Sequence, residues 1–143
     1  MEPILVVDDK ADILSILKEE FDSQDIESSE VDNTSDAVEL LKTKQFSCLF
    51  LDIVLGNTSS EKIVEFLKGP ENTLNSNLPV IVMSGYVDPA FVERVKTKVY
   101  KVIEKPFEEG LIQRIIEDLS VQEQPQIEEV QNDNEEADPM DFL

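Results

Sequence analysis

Two acidic residues, Asp8 and Asp9, stand directly after the aliphatic run Ile4–Val7. A third, Asp52, closes the apolar run Cys48–Asp52. Ser84 closes Val80–Ser84, and Lys105, followed by Pro106, comes directly after Val99–Glu104. Acids are rarely placed against buried strands without a partner, so these positions call for a chemical reason. Three carboxylates gathered in one place repel one another unless a cation joins them. An all-oxygen donor set favours Mg²⁺, which keeps its waters and takes few protein ligands. Beside such a cation and Lys105, one carboxylate can act as a nucleophile on a phosphoryl group, whose oxygens the metal and the ammonium neutralise. Ser84 would donate a hydrogen bond to the new phosphate. The simpler alternatives are that Asp8 and Asp9 cap a helix and that Ser84 is a turn residue.

These residues have chemistry only if the fold brings them together. Five apolar runs read as buried strands: Ile4–Val7, Ile26–Val31, Cys48–Asp52, Val80–Ser84 and Val99–Glu104. The second is diluted by Glu27, Ser28 and Ser29 and suits a sheet edge. The others are continuous rather than alternating, the pattern of parallel strands covered on both faces. Helical spacing fills the gaps. Ile13, Leu14, Leu17 and Phe21 form one stripe, and Ala37, Val38 and Leu41 a second, with Thr34 or Ser35 as its expected cap. Ile63, Val64, Phe66 and Leu67 form a third, stopped by Gly69-Pro70. Phe91, Val92 and Val95 follow Asp88-Pro89, a cap and a first-turn proline. Leu111, Ile112, Ile115, Ile116 and Leu119 complete the set. Strict alternation of strand and helix predicts an α/β fold, a doubly wound five-stranded parallel sheet. In such a sheet strands one, three, four and five are neighbours, and ligands gather beyond the carboxyl ends of the strands. The three acids, Ser84 and Lys105 would then share one shallow pocket.

Composition narrows the function classes. The 143 residues suit one domain with a real core, and a net charge of −20 disfavours nucleic acid and anionic membranes as partners. The sequence has no histidine, which excludes histidine catalysis, a phosphohistidine and His-ligated zinc. Its one cysteine, Cys48, is expected as a buried strand thiol and fits a reducing, cytoplasmic setting. No apolar run approaches the ~18 residues of a membrane span, and no basic signal region is visible. From Ser120 onward there are eight acids, no base and two prolines, and the rest of the chain keeps a charge of −12. Residues 1–121 are therefore read as the folded domain and 122–143 as an acidic, disordered tail.

The ordered set VVDD, FLD, MSG and EKPF resembles the receiver domain of bacterial response regulators over about residues 3–119. That resemblance implies a flavodoxin/CheY-like sheet of order 2-1-3-4-5. It implies Asp52 as the phosphoacceptor, loaded from a sensor histidine kinase or a phosphotransfer protein. It implies Asp9 as a direct Mg²⁺ ligand, Asp8 mostly through water, and Asp52 and the Val54 backbone carbonyl as further ligands. Ser84 and Lys105 would contact the phosphate, and the Lys105–Pro106 bond would be cis. A stand-alone signalling protein is expected, with no effector domain and no basic recognition helix. It would not be an enzyme beyond its own phosphotransfer and dephosphorylation.

The sequence departs from that family at several positions. The usual proline four residues after the acceptor and glycine eight after it are Gly56 and Ser60. The usual aromatic three residues before the lysine is Val102, with Tyr100 two residues earlier and on the same face by strand alternation. Val54 and Tyr86, two residues after Asp52 and Ser84, offer no acid or amide to orient water, so self-dephosphorylation is expected to be slow. Output is expected through protein contacts on the face of helix four, strand five and helix five, with Phe91, Arg94, Lys98 and Lys101, or through the tail. Arg94, Lys96, Lys98 and Lys101 form a basic set that is either a solvated face or a dock for an acidic partner. A phosphorylation-dependent homodimer on the same face is compatible with this reading. The rival readings are an adaptor that keeps the fold without needing phosphorylation, and a haloacid-dehalogenase-like phosphatase. The latter wants a second acid two residues after the nucleophile, where Val54 or Lys10 stands.

Overall fold

Continuous apolar runs need cover on both faces, and three of them have it. In the computed structural model Ile4–Val7 (β1), Cys48–Asp52 (β3) and Val80–Ser84 (β6) are buried at every position. The structure describes residues 1–55, 58–85, 89–95, 97 and 99–122. Two further strands, Ser28–Val31 (β2) and Lys101–Glu104 (β7), flank these three. The sheet runs β2-β1-β3-β6-β7 with every pair parallel. Counting the five strands of this sheet alone, that is the predicted order 2-1-3-4-5. Both outer strands are shorter than the apolar runs suggested, beginning at Ser28 and Lys101 rather than Ile26 and Val99.

Alternation along the strands sorts the core into two layers. Leu5, Val7, Leu49, Leu51, Val80 and Val82 face one way, packed with Ala37 and Leu41 of the helix Thr34–Thr43 (α2) and Ile63 and Val64 of Glu61–Lys68 (α3). Phe50, of opposite parity, meets Phe21 of the helix Ala11–Ser23 (α1), ring centroids 5.4 Å apart and tilted by 57°. Helices therefore cover both faces, which is why the strands carry no polar alternation. Cys48 is buried in β3 as expected. Helix α3 stops at Gly69, and Pro89 is the first residue of Pro89–Val95 (α4). The cap of α2 is Asn33 rather than Thr34 or Ser35: its Oδ1 accepts from the Asp36 amide at 2.8 Å. Asparagine at N-cap satisfies the same orphan donor that serine or threonine would.

A pair of buried amides, absent from the sequence reading, holds the far edge of the sheet. The Asn75 side chain donates to the carbonyls of Leu41 and Lys44, both at 2.9 Å, and accepts from the Phe46 amide at 2.8 Å. Asn72 accepts from the Asn75 amide at 3.0 Å and donates to the Asn75 carbonyl at 2.9 Å. The pair ties the end of α2, the entry to β3 and the approach to β6. Asn75→Ala leaves the buried Phe46 amide unpaired and should cost about 3 kcal/mol in urea unfolding; a loss under about 0.5 kcal/mol would contradict this account.

The chain divides into two compact units, Met1–Phe107 and Glu108–Leu143. The second carries Leu111–Gln122 (α5), entered through Gly110 at φ +83°, a conformation that favours glycine. Ile112, Ile115, Ile116 and Leu119 of the predicted stripe are buried. No helix among the described residues is long and apolar enough to cross a membrane. Residues 123–143, and hence nearly all of the predicted tail, lie outside the described residues, as do Gly56, Tyr86, Asp88, Lys96 and Lys98.

Candidate functional site at the carboxyl edge of the sheet

Parallel strands end on one edge, and here β1, β3 and β6 deliver Asp8, Asp52 and Ser84 to it. Asp8 lies one residue beyond β1, its amide donating to the Val31 carbonyl at 3.1 Å, as a continuation of the β1–β2 ladder. It is fully buried. Its Oδ1 accepts from the Lys10 amide at 2.8 Å and its Oδ2 from the Lys105 ammonium at 2.7 Å. Both carboxylate oxygens therefore have strong donors, the condition for keeping a charge inside. The cap of α1 is Lys10, two residues on, so helix capping does not account for Asp8. Asp9 is more open, its side chain 30 % exposed, with the Lys10 ammonium 3.8 Å away.

Lys105 reaches this edge from the end of β7. Its amide donates to the Ser84 carbonyl at 2.6 Å, one step past the Ser84–Glu104 register of β6 and β7. The Lys105–Pro106 bond is cis. The ammonium bridges two acids, 2.7 Å from Asp8 and 3.4 Å from Asp52. Asp52 and Ser84 are buried as well. One ligand oxygen from each of Asp8, Asp9 and Asp52 falls within 4.8 Å of the others, a spacing that could hold a metal ion. Two ammoniums, Lys105 on Asp8 and Asp52 and the exposed Lys10 beside Asp9, leave the three carboxylates in excess, and a divalent cation would offset that excess. The donors are all oxygen, so the set fits Mg²⁺ and does not suit a thiophilic metal.

Burial alone would lower the Lys105 pKa, but the hydrogen bond to Asp8 and the charges of Asp52 and Asp8 together outweigh it and raise it above 10.5. A raised folded value means that the stabilisation is fully present below the unfolded pKa and is lost as pH rises through the folded one. The stability difference between wild type and Lys105→Met should therefore stay constant from about pH 7 to about pH 10 and shrink only above it. A difference that fades near neutral pH in urea melts would overturn the assignment.

The other predicted positions scatter. Val54 lies in the short strand Val54–Leu55 (β4), paired antiparallel with Thr58–Ser59 (β5) in a hairpin directly after Asp52. No strand is predicted here from the sequence. Val102 stands opposite Val82 and packs, half-buried, against the apolar core. Tyr100 precedes β7 and is exposed, its amide donating to the Val80 carbonyl at 2.8 Å as a continuation of the β6–β7 ladder. Arg94 of α4 donates to Glu61 of α3 at 2.9 Å, and Lys101 is exposed on β7. Phe91 lies in α4, but its side chain, like Lys98, is outside the described set.

Residues 4–117 match the family model for the response regulator receiver domain. The chain belongs to that family. Receiver domains are the signalling modules of two-component systems, and the fold is theirs throughout. A CheY-like receiver domain protein from Methanospirillum hungatei shares 22% identity, covering 86% of this chain and 97% of its own, with a TM-score of 0.75. The receiver domain of a sensor histidine kinase from Pseudomonas aeruginosa, with magnesium coordinated in its active-site cleft, shares 18% over 82% of this chain and 96% of its own, TM-score 0.72. A response regulator from Burkholderia pseudomallei, carrying a phosphorylated aspartate and a calcium ion, shares 17% over 87% and 76%, TM-score 0.69. No curated protein matches the chain.

Proposed function

We propose that this receiver takes a phosphoryl group on Asp52, with Mg²⁺ held by Asp8, Asp9, Asp52 and the Val54 carbonyl, and signals through protein contacts. The observation that carries this reading is the single ammonium of Lys105 spanning Asp8 and Asp52 within a cluster of three acids. In the transfer, an Asp52 carboxylate oxygen attacks phosphorus, the P–N bond of a donor phosphohistidine breaks, and the imidazole nitrogen keeps the electron pair and takes up a proton. Bound Mg²⁺ supplies positive charge to the phosphoryl oxygens. Lys105 would supply a second positive charge, and the Ser84 hydroxyl would donate to the product. The donor is a sensor histidine kinase or a phosphotransfer protein. Residues 1–121 are the receiver on this reading, and 122–143 an appended acidic segment.

Output would use α4 and β7, with Arg94 and Lys101 as described candidates. The half-buried Val102, which has no hydroxyl, favours a second reading in which the module acts as an adaptor. Incubation with acetyl phosphate and Mg²⁺, followed by intact mass, tests the first reading: one added phosphoryl group supports it, and no gain at any Mg²⁺ concentration leaves the adaptor. With Val54 and Tyr86 two residues after Asp52 and Ser84 in the sequence, where neither offers an acid or amide to orient water, the phosphorylated form should persist for minutes or longer at neutral pH; decay within seconds on the isolated protein would contradict that expectation.

A further inference from the structure

Ser60 stands where most receivers carry glycine, and its side chain is not idle. It is fully buried at the junction between β5 and α3. Its backbone is the N-cap of α3, its carbonyl accepting from Ile63 at 3.0 Å, yet its hydroxyl makes no capping bond. The hydroxyl instead donates to the Ile53 carbonyl at 2.9 Å, and the Ser60 amide donates to the same oxygen at 3.2 Å. Ile53 follows Asp52 directly, and its own amide donates to the Met83 carbonyl at 2.9 Å. The residue after the acceptor is thus gripped on both sides, by β6 through its amide and by Ser60 through its carbonyl. Ile53 and Ser60 also extend the Val54–Ser59 pairing by one rung and close the base of the hairpin.

A serine at an N-cap ordinarily accepts from an amide of the first turn. Here that role is forgone for a second donor on a carbonyl that already has one, so helix stability does not explain the contact. We infer that Ser60 is a positioning residue: it fixes the peptide between Asp52 and Val54 and so sets how well the acid cluster and the Val54 carbonyl hold a divalent cation. Outer-shell hydrogen bonds of this kind orient ligands and tune affinity. The inference rests on the proposed Mg²⁺ site.

The test is Mg²⁺ titration by calorimetry on wild type, Ser60→Ala, Ser60→Thr and Asp52→Asn, with urea melts of each in the absence of Mg²⁺. Ser60→Ala should weaken Mg²⁺ by about 10-fold, and Ser60→Thr, which restores the hydroxyl, should stay within about 2-fold of wild type. Asp52→Asn reports on the site itself. If wild type binds Mg²⁺ and Ser60→Ala binds it equally well, the inference fails while the functional reading stands. Lowered stability in Ser60→Ala with unchanged affinity would likewise assign a purely structural role. No Mg²⁺ binding by wild type would overturn the functional reading and the inference together.

Discussion

Asp52→Asn should abolish phosphoryl uptake while leaving the metal-free protein at least as stable as wild type. Asparagine has nearly the shape of aspartate, but its amide is no nucleophile toward phosphorus. The rate of acylphosphate formation should fall by at least about 1,000-fold, the scale seen when a nucleophile is removed. Stability moves the other way because of charge. In the metal-free protein, Asp8, Asp9 and Asp52 hold ligand oxygens within 4.8 Å of one another, and one ammonium serves two of them. Removing the Asp52 carboxylate relieves its repulsion with two acids and gives up one contact with Lys105 at 3.4 Å, a net balance of about 1 kcal/mol in favour of the variant. Intact mass after exposure to acetyl phosphate reads the first effect, and urea unfolding without Mg²⁺ reads the second. An Asp52→Asn protein that still gains a phosphoryl group would place the acceptor elsewhere.

Lys105→Met is the second large effect, and it couples stability to metal. Lys105 is the donor at 2.7 Å to Asp8 Oδ2, and Asp8 is fully buried. Methionine keeps much of the stem's volume and removes the charge. The carboxylate is then left with the Lys10 amide on its other oxygen. Breaking a buried ion pair from one side costs about 3 kcal/mol. Mg²⁺ should restore part of this loss, by about 2.7 kcal/mol at 100 times its dissociation constant, because it binds only the folded site. Phosphoryl uptake should also slow, since a charge facing the transferred oxygens is gone. Thermal unfolding with and without Mg²⁺ checks both halves. A Lys105→Met protein with wild-type stability in EDTA would mean that the Asp8 contact contributes nothing.

Much of this site is legible in the sequence, for a physical reason. Ile4–Val7, Cys48–Asp52 and Val80–Ser84 are apolar without interruption because both faces are covered, so their ends stand out as the first polar residues, and those residues are Asp8, Asp52 and Ser84. Parallel order then places them on one edge. What stays hidden depends on local geometry that composition does not encode. Asn33 caps α2 where Thr34 and Ser35 looked equally able, because N-cap residues of similar propensity compete one position apart. Asn72 and Asn75 look like loop residues until their amides are seen to span the end of α2 and the entry to β3. Ser60 shows only as a missing glycine; its bond to Ile53 depends on the β4–β5 hairpin, two strands too short to leave a periodic signal. Lys105 is expected from the sequence to contact the phosphate; that its ammonium would also lie closest to Asp8 is set by side-chain geometry that the sequence does not show.

The central claim is that Asp8, Asp9, Asp52, Ser84 and Lys105 work as one phosphoryl-accepting site coupled to the rest of the sheet. The most direct measurement is amide NMR of wild type and Asp52→Asn on adding beryllofluoride with Mg²⁺, a mimic of the phosphorylated state. The account predicts Mg²⁺-dependent shifts in wild type that begin at Asp52 and Ile53 and extend to Ser84 and Lys105, and none of them in Asp52→Asn. An unchanged wild-type spectrum at saturating Mg²⁺ and beryllofluoride, or identical shifts in Asp52→Asn, would contradict it.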